Sequence, residues 1–192
     1  PLCTPAGSGV PRVAVKRLAG GVFSSYALST LRPGDTVEVM TPTGRFTVPP
    51  QPQTARTHVA VAAGSGIAPV LSIVATLLAA EPHSTVTLLY GNRTSQDIML
   101  LEELEDLKNR FASRFSLHLF LSRETQEAEI LNGRVDGERL AALRGTSLLP
   151  GDVDEWFLCG PQAMIASLRA ALADAGVDPG HVHSELFHAE GR

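Results

Sequence analysis

Gly64-Ser65-Gly66-Ile67-Ala68-Pro69 is the stretch that decides the fold predicted for this chain. It follows an apolar run at residues 58–63 and leads into a helical pattern that begins on proline. Glycines let the backbone turn tightly and approach a ligand, and a helix start offers unpaired N–H groups and the positive end of its dipole. Proline fits the first helical turn, where its missing N–H costs nothing. The stretch predicts a turn that can hold a pyrophosphate; an ordinary tight turn is the alternative.

Strand-like runs and helical patterns alternate from residue 54 onward. Short runs rich in β-branched and aromatic residues predict strands, and apolar residues at helical spacing predict helices. The predicted strands are 58–63, 85–90, 117–122, 155–159 and 182–187, and the predicted helices are 69–80, 98–111, 137–144 and 161–175. This order predicts an α/β fold: a parallel five-stranded nucleotide-binding sheet with helices on both faces and ligands at the carboxyl ends of the strands.

The first 53 residues have a different pattern. Residues 13–17 and 36–40 alternate like half-buried antiparallel strands, and turns are predicted at 33–35 and 42–45. These features predict part of an antiparallel β-barrel in residues 1–53, followed by a nucleotide-binding domain in residues 54–192. Two strands cannot close a barrel by themselves, because their edges would lack partners.

Composition and charge argue against several classes of protein. The chain has 192 residues, 44% of them apolar, and its net charge of −4 gives no general attraction to nucleic acid or to an anionic membrane. Two cysteines are too few for a disulfide scaffold or a four-cysteine metal site, so a reducing cytoplasm is the expected location. His181 and His183 would make an incomplete zinc site, so no metal is expected. No oligomeric state is predicted.

Six short segments at the ends of successive elements form a recognisable set. They are Gly64 to Pro69, Tyr90-Gly91-Asn92-Arg93, Leu121-Ser122-Arg123-Glu124, Cys159-Gly160-Pro161-Gln162-Ala163-Met164, Ser184-Glu185-Leu186-Phe187 and Gly21-Val22-Phe23-Ser24-Ser25-Tyr26. In this order and spacing the set resembles the ferredoxin–NADP reductase superfamily. The likeness is greatest to bacterial electron-transfer reductases that carry a separate plant-type ferredoxin domain.

The resemblance implies an oxidoreductase with two bound cofactors, NADP and FAD. Such a reductase passes electrons from NAD(P)H through FAD to a [2Fe-2S] ferredoxin centre that supplies an oxygenase, for example in aromatic catabolism. The expected partner is therefore a ferredoxin domain or an oxygenase component. The cluster would lie outside this chain, because Cys3 and Cys159 cannot supply four ligands. The reductase domain of a flavohaemoglobin and a non-catalytic nucleotide-binding fragment are the alternatives.

The resemblance also assigns residues to the nicotinamide dinucleotide. Cys159 would lie beside the nicotinamide and Glu185 would face the flavin region, and these two are the expected catalytic residues. Met164 would support the loop at Gly160 and Pro161. The residues that would bind NADP are Gly64, Ser65, Gly66, Pro69, Arg93, Ser122, Arg123, Gly160, Pro161 and Met164.

Arg93 and Arg123 lead us to expect NADPH rather than NADH. Two guanidinium groups at adjacent strand ends could bind a 2′-phosphate, and no Asp or Glu ends the strand at Tyr90 to favour a 2′-hydroxyl. Solvated strand-end arginines are the alternative reading of this pair. For Cys159 the alternative is a small buried hydrophobic residue.

The residues that the resemblance assigns to FAD lie mostly in the first 53 positions: Lys16, Gly21, Ser24, Ser25 and, on the last strand, Phe187. The turn at residues 21–25 would bring hydroxyl and N–H groups to the FAD pyrophosphate. In the superfamily, a strand with Arg, any residue, Tyr, then Ser or Thr comes just before a segment like Leu2-Cys3-Thr4. The sequence here begins at Pro1. We therefore expect FAD in the intact protein and weak or absent FAD binding by residues 1–192 alone.

Overall fold

Five apolar runs of the chain form a parallel sheet in a computed structural model, which describes residues 1–41 and 43–187. The strands are β1 (Thr57–Ala63), β2 (Thr85–Asn92), β3 (Phe115–Leu121), β4 (Glu155–Gly160) and β5 (Val182–Leu186). Their order is β3-β2-β1-β4-β5, and every pairing is parallel. The predicted α/β fold with a parallel five-stranded sheet is therefore confirmed.

The helices that connect the strands also follow the predicted pattern. They are α2 (Ile67–Ala80), α3 (Leu101–Arg110), α4 (Gly137–Leu143) and α5 (Gln162–Asp174), and α1 (Val22–Ser29) precedes the sheet. The start predicted at residue 98 for α3 was wrong, because Leu100 has a φ of 59° and this left-handed conformation interrupts a helix. None of the described helices combines the length and the apolar character that crossing a bilayer requires.

Both faces of the sheet are covered by helices, so its strands are apolar on both sides. On one face, α2 and α3 pack on a cluster that includes Ala60, Leu88 and Phe157. On the other face, α4 and α5 pack on a cluster that includes Val61 and Trp156. Full burial of each large apolar side chain contributes about 1.5–3 kcal/mol. The two clusters thus hold the strand ends in fixed relative positions.

The antiparallel strands predicted at residues 13–17 and 36–40 are not formed. A single antiparallel bridge joins Leu2 to Val13, and residues 36–40 have no regular secondary structure. Val39 and Met40 are 84% and 90% exposed. The physical reason is that no neighbouring strand in the described part of the chain accepts their backbone hydrogen bonds or covers their side chains. Of the predicted turns, Pro42 lies outside the described residues, and the turn near residue 34 is closed by Asp35 N–H donating to Arg32 O at 3.0 Å.

A buried ion cluster attaches the segment before β1 to the amino edge of the sheet. The Glu81 carboxylate accepts hydrogen bonds from Gln51 N–H at 2.8 Å, Ser84 Oγ at 2.6 Å and His58 Nε2 at 2.9 Å, and it is paired with Arg56. Burial raises the pKa of Glu81, but the hydrogen bonds, led by that of Arg56, outweigh burial and lower it to about 2. The carboxylate therefore stays charged inside the protein.

Candidate functional site

The order of the strands places the topological switch point of the sheet between β1 and β4, at its carboxyl edge. After β1 the chain enters α2 on one face, and after β4 it enters α5 on the other face. Ligands of open α/β sheets bind where neighbouring connections diverge in this way. The predicted residues that follow or end strands at this edge are Gly64, Ser65, Gly66, Pro69, Arg93, Ser122, Arg123, Cys159, Gly160, Pro161, Met164, Glu185 and Phe187.

The turn after β1 is built so that only glycine fits at two of its positions. Gly64 has a φ of 53°, the left-handed region that side chains disfavour. A Cβ on Gly66 would lie 2.3 Å from the Cys159 carbonyl oxygen. Residues Gly64–Gly66 form one 3₁₀ turn that continues directly into α2, two residues before the predicted start at Pro69. The first N–H groups of such a helical run have no intrahelical acceptor and can bind an anion.

The hydroxyl of Tyr90 lies beneath this turn. It donates a hydrogen bond to Gly64 O at 2.9 Å and accepts one from Met99 N–H at 3.2 Å. The side chain is fully buried, and burial raises the pKa of Tyr90 to about 12 in spite of the Met99 hydrogen bond. Sequence reasoning placed Tyr90 only at the end of a strand and missed this contact, because nothing in the sequence shows which side chain reaches the turn.

A small group of charges stands beside the turn. Arg93 Nη2 donates to Asp97 Oδ1 at 2.8 Å, and Thr94 Oγ1 donates to Asp97 Oδ2 at 3.0 Å. The Arg93 hydrogen bond lowers the pKa of Asp97, although burial acts in the opposite direction. Lys16 Nζ donates to the main-chain oxygen of Asp97 at 3.3 Å and lies 3.9 Å from its Oδ1. Lys16 Nζ is also 3.9 Å from the position of a Cβ on Gly64. The ammonium group is therefore at the turn after β1.

Arg93 and Arg123 lie on adjacent backbone segments, as predicted. Arg123 N–H donates to Arg93 O at 2.8 Å, and Ser122 Oγ donates to Asn92 O at 3.3 Å. Both arginine side chains are exposed. Sequence reasoning missed Asp97, the carboxylate that pairs with Arg93. The four-residue spacing of this pair was the available signal.

Cys159 lies near the end of β4 as a neutral thiol. It is fully buried and is paired in register with Glu185 on β5. Burial raises the pKa of the thiol to about 12, and the negative charge of Glu185 adds to the effect. Such a thiol is not a nucleophile at neutral pH. It offers a small polarizable surface instead.

The residues around Cys159 enclose it. A Cβ on Gly160 would lie 2.6 Å from the Met164 Cε, so the Met164 side chain covers this glycine. Phe187 N–H donates to Gly160 O at 3.2 Å, and the Phe187 side chain packs on the apolar cluster that contains Cys159. The end of β4 is therefore shielded from water on two sides.

The hydroxyl of Ser24 contacts the backbone of the predicted flavin-phosphate turn. Ser24 Oγ accepts a hydrogen bond from Leu18 N–H at 3.1 Å, and it lies 3.4 Å from the Leu18 and Gly21 carbonyl oxygens. A Cβ on Gly21 would lie 2.6 Å from Ser24 Oγ, so a larger residue at this position would displace the serine hydroxyl. Ser25 is exposed. The groups of this turn that face solvent are thus the Ser25 side chain and the start of α1.

The two histidines considered as metal ligands contact a carboxylate at the amino edge of the sheet. His183 Nε2 is 2.8 Å from Glu155 Oε2, and His181 Nδ1 is 3.5 Å from Glu155 Oε1. Arg56 Nη1 is 3.7 Å from the same carboxylate. Within residues 1–41 and 43–187, no group of three or more His, Cys, Asp or Glu side chains is arranged to hold a metal ion.

The chain is similar to NAD-binding oxidoreductase domains and to components of oxygenase systems. A family model described as the oxidoreductase NAD-binding domain matches residues 60–170. The chain is 46% identical over 180 residues to a component of the 1,2-phenylacetyl-CoA epoxidase of Escherichia coli (strain K12), covering 93% of the chain and 50% of that relative. It is 30% identical over 187 residues to the ferredoxin reductase component of 3-ketosteroid-9-alpha-monooxygenase of Rhodococcus rhodochrous, covering 97% of the chain and 49% of that relative.

Solved structures show the same fold. The flavohem-like FAD/NAD binding domain of nitric oxide dioxygenase from Vibrio cholerae O1 biovar El Tor matches with a TM-score of 0.81 and 25% identity, covering 97% of the chain and 75% of that domain. A ferredoxin NADP+ reductase from Neisseria gonorrhoeae matches with a TM-score of 0.72 and 20% identity, covering 96% of the chain and 77% of that protein. The chain spans about half the length of the curated relatives, which are 50% and 49% covered.

Proposed function

We infer that this chain, which belongs to the oxidoreductase NAD-binding domain family of the ferredoxin–NADP reductase type, is the dinucleotide-binding part of an NAD(P)H-dependent flavoprotein reductase. The turn at Gly64–Gly66 carries the proposal. It stands at the divergence of β1 and β4, it excludes side chains at Gly64 and Gly66, and it has the Lys16 ammonium beside it. Pyrophosphate fits this combination of helix-start N–H groups without intrahelical acceptors, close backbone approach and positive charge.

The residues at the carboxyl edge fit the two cofactors that the family implies. When bound, the nicotinamide and the flavin supply hydride and one-electron chemistry. The chain's own residues bind and orient them: the turn would hold the pyrophosphate, and Lys16 would neutralise part of its charge. Lys16 thus serves the nicotinamide dinucleotide in this proposal, in addition to the FAD role expected from the resemblance.

Cys159 and its neighbours would form the nicotinamide side of the site. Because the thiol is neutral and buried, it adds no charge where a positive nicotinamide ring has to be accommodated. Glu185 is the adjacent carboxylate, and its charge is one that stabilises a cationic ring. Phe187 and Met164 would exclude water from the end of β4. We propose contact and orientation for Cys159 and Glu185, with no covalent step.

NADPH is the proposed substrate in preference to NADH. Arg93 and Arg123 are exposed on adjacent backbone segments, where two guanidinium forks can bind one phosphate group. Asp97 holds Arg93 at 2.8 Å, and the exposed Arg123 side chain has room to turn toward a ligand. The carboxylates next to these arginines, Asp97 and Glu124, lie in the loops after β2 and β3, and neither ends a strand in the place that favours a ribose 2′-hydroxyl.

The electron acceptor is proposed from the relatives. Their names describe components of an epoxidase and of a monooxygenase, so we propose a [2Fe-2S] ferredoxin centre outside this chain and an oxygenase of aromatic catabolism, such as phenylacetate degradation. The match to a nitric oxide dioxygenase domain favours a flavohaemoglobin reductase as the second candidate.

We further propose that residues 1–53 belong to the FAD-binding half and residues 54–192 to the NAD(P)-binding half. A cytoplasmic location agrees with the two free cysteines.

Calorimetric titration with NADP+ and NAD+ tests the proposal. We expect NADP+ to bind more tightly, and we expect Arg93→Ala and Arg123→Ala each to weaken NADP+ binding about tenfold by removing a charged hydrogen-bond donor, with NAD+ binding unchanged. Arg110→Ala, an exposed arginine at the end of α3, is the matched control. An unchanged preference in both site variants would refute the 2′-phosphate assignment. Failure of the wild-type protein to bind either dinucleotide would refute the function.

A further inference from the structure

The Tyr90 hydroxyl joins two segments that the sequence keeps apart. Tyr90 belongs to β2, its donor Met99 lies in the loop before α3, and its acceptor Gly64 is the first residue of the turn after β1. The side chain is fully buried. Both hydrogen-bonding capacities of the hydroxyl are thus used inside the protein, at 2.9 Å and 3.2 Å.

Packing of the aromatic ring does not account for this hydroxyl. The ring belongs to the apolar cluster that contains Ala62, Ile67 and Cys159, and a phenylalanine ring would fill the same space. A buried hydroxyl costs free energy unless it is hydrogen-bonded, so its presence is explained by what it binds. What it binds is the carbonyl group of the residue with the left-handed backbone.

The hydrogen bond from Tyr90 to the Gly64 carbonyl also affects the direction of the Ser65 N–H, because both groups belong to the same peptide unit. A trans peptide is planar, and its N–H points opposite to its C=O. The Gly64 carbonyl oxygen accepts the Tyr90 hydroxyl and also the Ile67 N–H of the same turn. Because this carbonyl points to the Tyr90 hydroxyl, the Ser65 N–H is directed away from that hydroxyl. At the other end of the turn, Gly66 packs on the Cys159 carbonyl oxygen with no room for a side chain. The turn is therefore fixed at both ends.

We propose that Tyr90 is a positioning residue for the dinucleotide: its hydroxyl orients the Gly64–Ser65 peptide so that the Ser65 N–H faces the pyrophosphate. This inference rests on the proposed function, because it assumes that the turn binds a dinucleotide. It adds a residue that neither the turn motif nor the family resemblance assigns. The phenol itself touches no cofactor and transfers no proton.

The pyrophosphate is common to NADP+ and NAD+, which separates this role from that of the arginines. Removal of the hydroxyl should weaken both dinucleotides by the same factor and leave their ratio unchanged. The loop of Met99 keeps its other ties, because Asp97 remains bonded to Arg93, Thr94 and Lys16. The 2′-phosphate preference is therefore expected to survive the loss of the Tyr90 hydroxyl.

Tyr90→Phe tests the inference, with Tyr26→Phe as the matched control. The chain has two tyrosines, and Tyr26 is 43% exposed on α1. By calorimetry we expect Tyr90→Phe to weaken NADP+ and NAD+ binding about threefold to tenfold each, the range for one hydrogen bond. The amide resonance of Ser65 should move in the free variant. Tyr26→Phe should match the wild-type protein in both measurements.

The remaining outcomes of the titrations distinguish failure of the Tyr90 inference from failure of the proposed function. If the wild-type protein binds NADP+ and Tyr90→Phe binds both dinucleotides equally well, the inference is wrong and the proposed function stands. A change in the NADP+ to NAD+ ratio alone would also overturn it, since the hydroxyl would then act through Arg93. If the wild-type protein binds neither dinucleotide, the proposed function itself fails.

A second measurement covers the case in which Tyr90→Phe does not fold. Biosynthetic 3-fluorotyrosine keeps the ring and the hydroxyl, and Tyr26→Phe assigns the two fluorine resonances. Saturation with NADP+ should shift the Tyr90 resonance, because pyrophosphate binding at Ser65 repolarises the peptide that accepts its hydrogen bond. An unshifted Tyr90 resonance at saturation would overturn the inference.

Discussion

Gly66→Ala should weaken dinucleotide binding while the sheet remains folded. The added Cβ would lie 2.3 Å from the Cys159 carbonyl oxygen and 2.7 Å from its carbonyl carbon. Because real Cβ atoms essentially never approach within 3.0 Å of a non-bonded heavy atom, the two segments must separate by at least 0.7 Å. The obstacle is backbone on both sides, so no side-chain rotation can relieve it.

The sizes of the expected losses in stability and in NADP+ affinity depend on the position of this displacement, at the contact between the turn and Cys159. Overpacking of a well-packed interior costs about 1–3 kcal/mol in the free energy of unfolding. The turn also moves relative to Cys159, and a displacement near 1 Å can cost about a hundredfold in rate when reacting groups must be aligned. We expect NADP+ affinity to fall about tenfold, through the loss of one or two N–H contacts to pyrophosphate.

Urea unfolding and calorimetric titration with NADP+ measure the two effects separately. Gly151→Ala is the control, since its Cβ would lie 3.6 Å from its nearest neighbour, an ordinary contact. The result that refutes the reasoning is a Gly66→Ala protein whose NADP+ affinity and free energy of unfolding both equal those of Gly151→Ala. Loss of stability without loss of affinity would show that the turn packs tightly but does not bind the dinucleotide.

Two further predictions concern buried titratable groups. Cys159 should react with iodoacetamide at pH 8 about a thousandfold more slowly in the folded than in the urea-unfolded protein, because a pKa of about 12 in place of 9.0 removes the reactive thiolate. Mass spectrometry of the Cys159 peptide measures both rates. Equal rates in the folded and the unfolded protein would contradict the burial of the thiol. The pKa of Glu81 is lowered from 4.5 to about 2, so its contribution of about 3 kcal/mol is present above pH 4.5 and is lost as the pH falls toward 2. Glu81→Gln should lower the free energy of unfolding by about 3 kcal/mol at pH 7, because buried Arg56 loses the nearer of its two carboxylate partners and keeps Glu155 at 3.7 Å. The variant should also lack that acid dependence in urea unfolding; an acid dependence equal to that of the wild-type protein would contradict the assignment to Glu81.

Much of the sheet could be predicted because its strands are apolar on both faces. The runs in β1, β2 and β4 are short, rich in β-branched or aromatic residues and bounded by turns, so composition alone marks them. The error at α3 has a local cause, the left-handed Leu100. A non-glycine residue in this conformation carries no sequence signal, since the surrounding loop imposes it.

The first 53 residues show the limit of pattern reasoning. Alternation at residues 13–17 and 36–40 is typical of half-buried strands, but a strand also needs a neighbour for its N–H and C=O groups. Among the described residues of this region, the one bridge formed joins Leu2 to Val13. Alternation describes what one face of a segment could bury, and it carries no information on whether a partner is present to bury it.

The sequence by itself determined where the turn after β1 lies and which residue types stand at the strand ends. Gly64, Arg93 and Arg123 were placed correctly at the carboxyl edge, because chain order and the parallel arrangement put all strand ends there. Only the tertiary structure decided that Gly66 packs on the Cys159 carbonyl and that the Tyr90 hydroxyl donates a hydrogen bond to Gly64 O. Such contacts depend on atomic distances between segments far apart in the chain, and spacing in the sequence does not encode them.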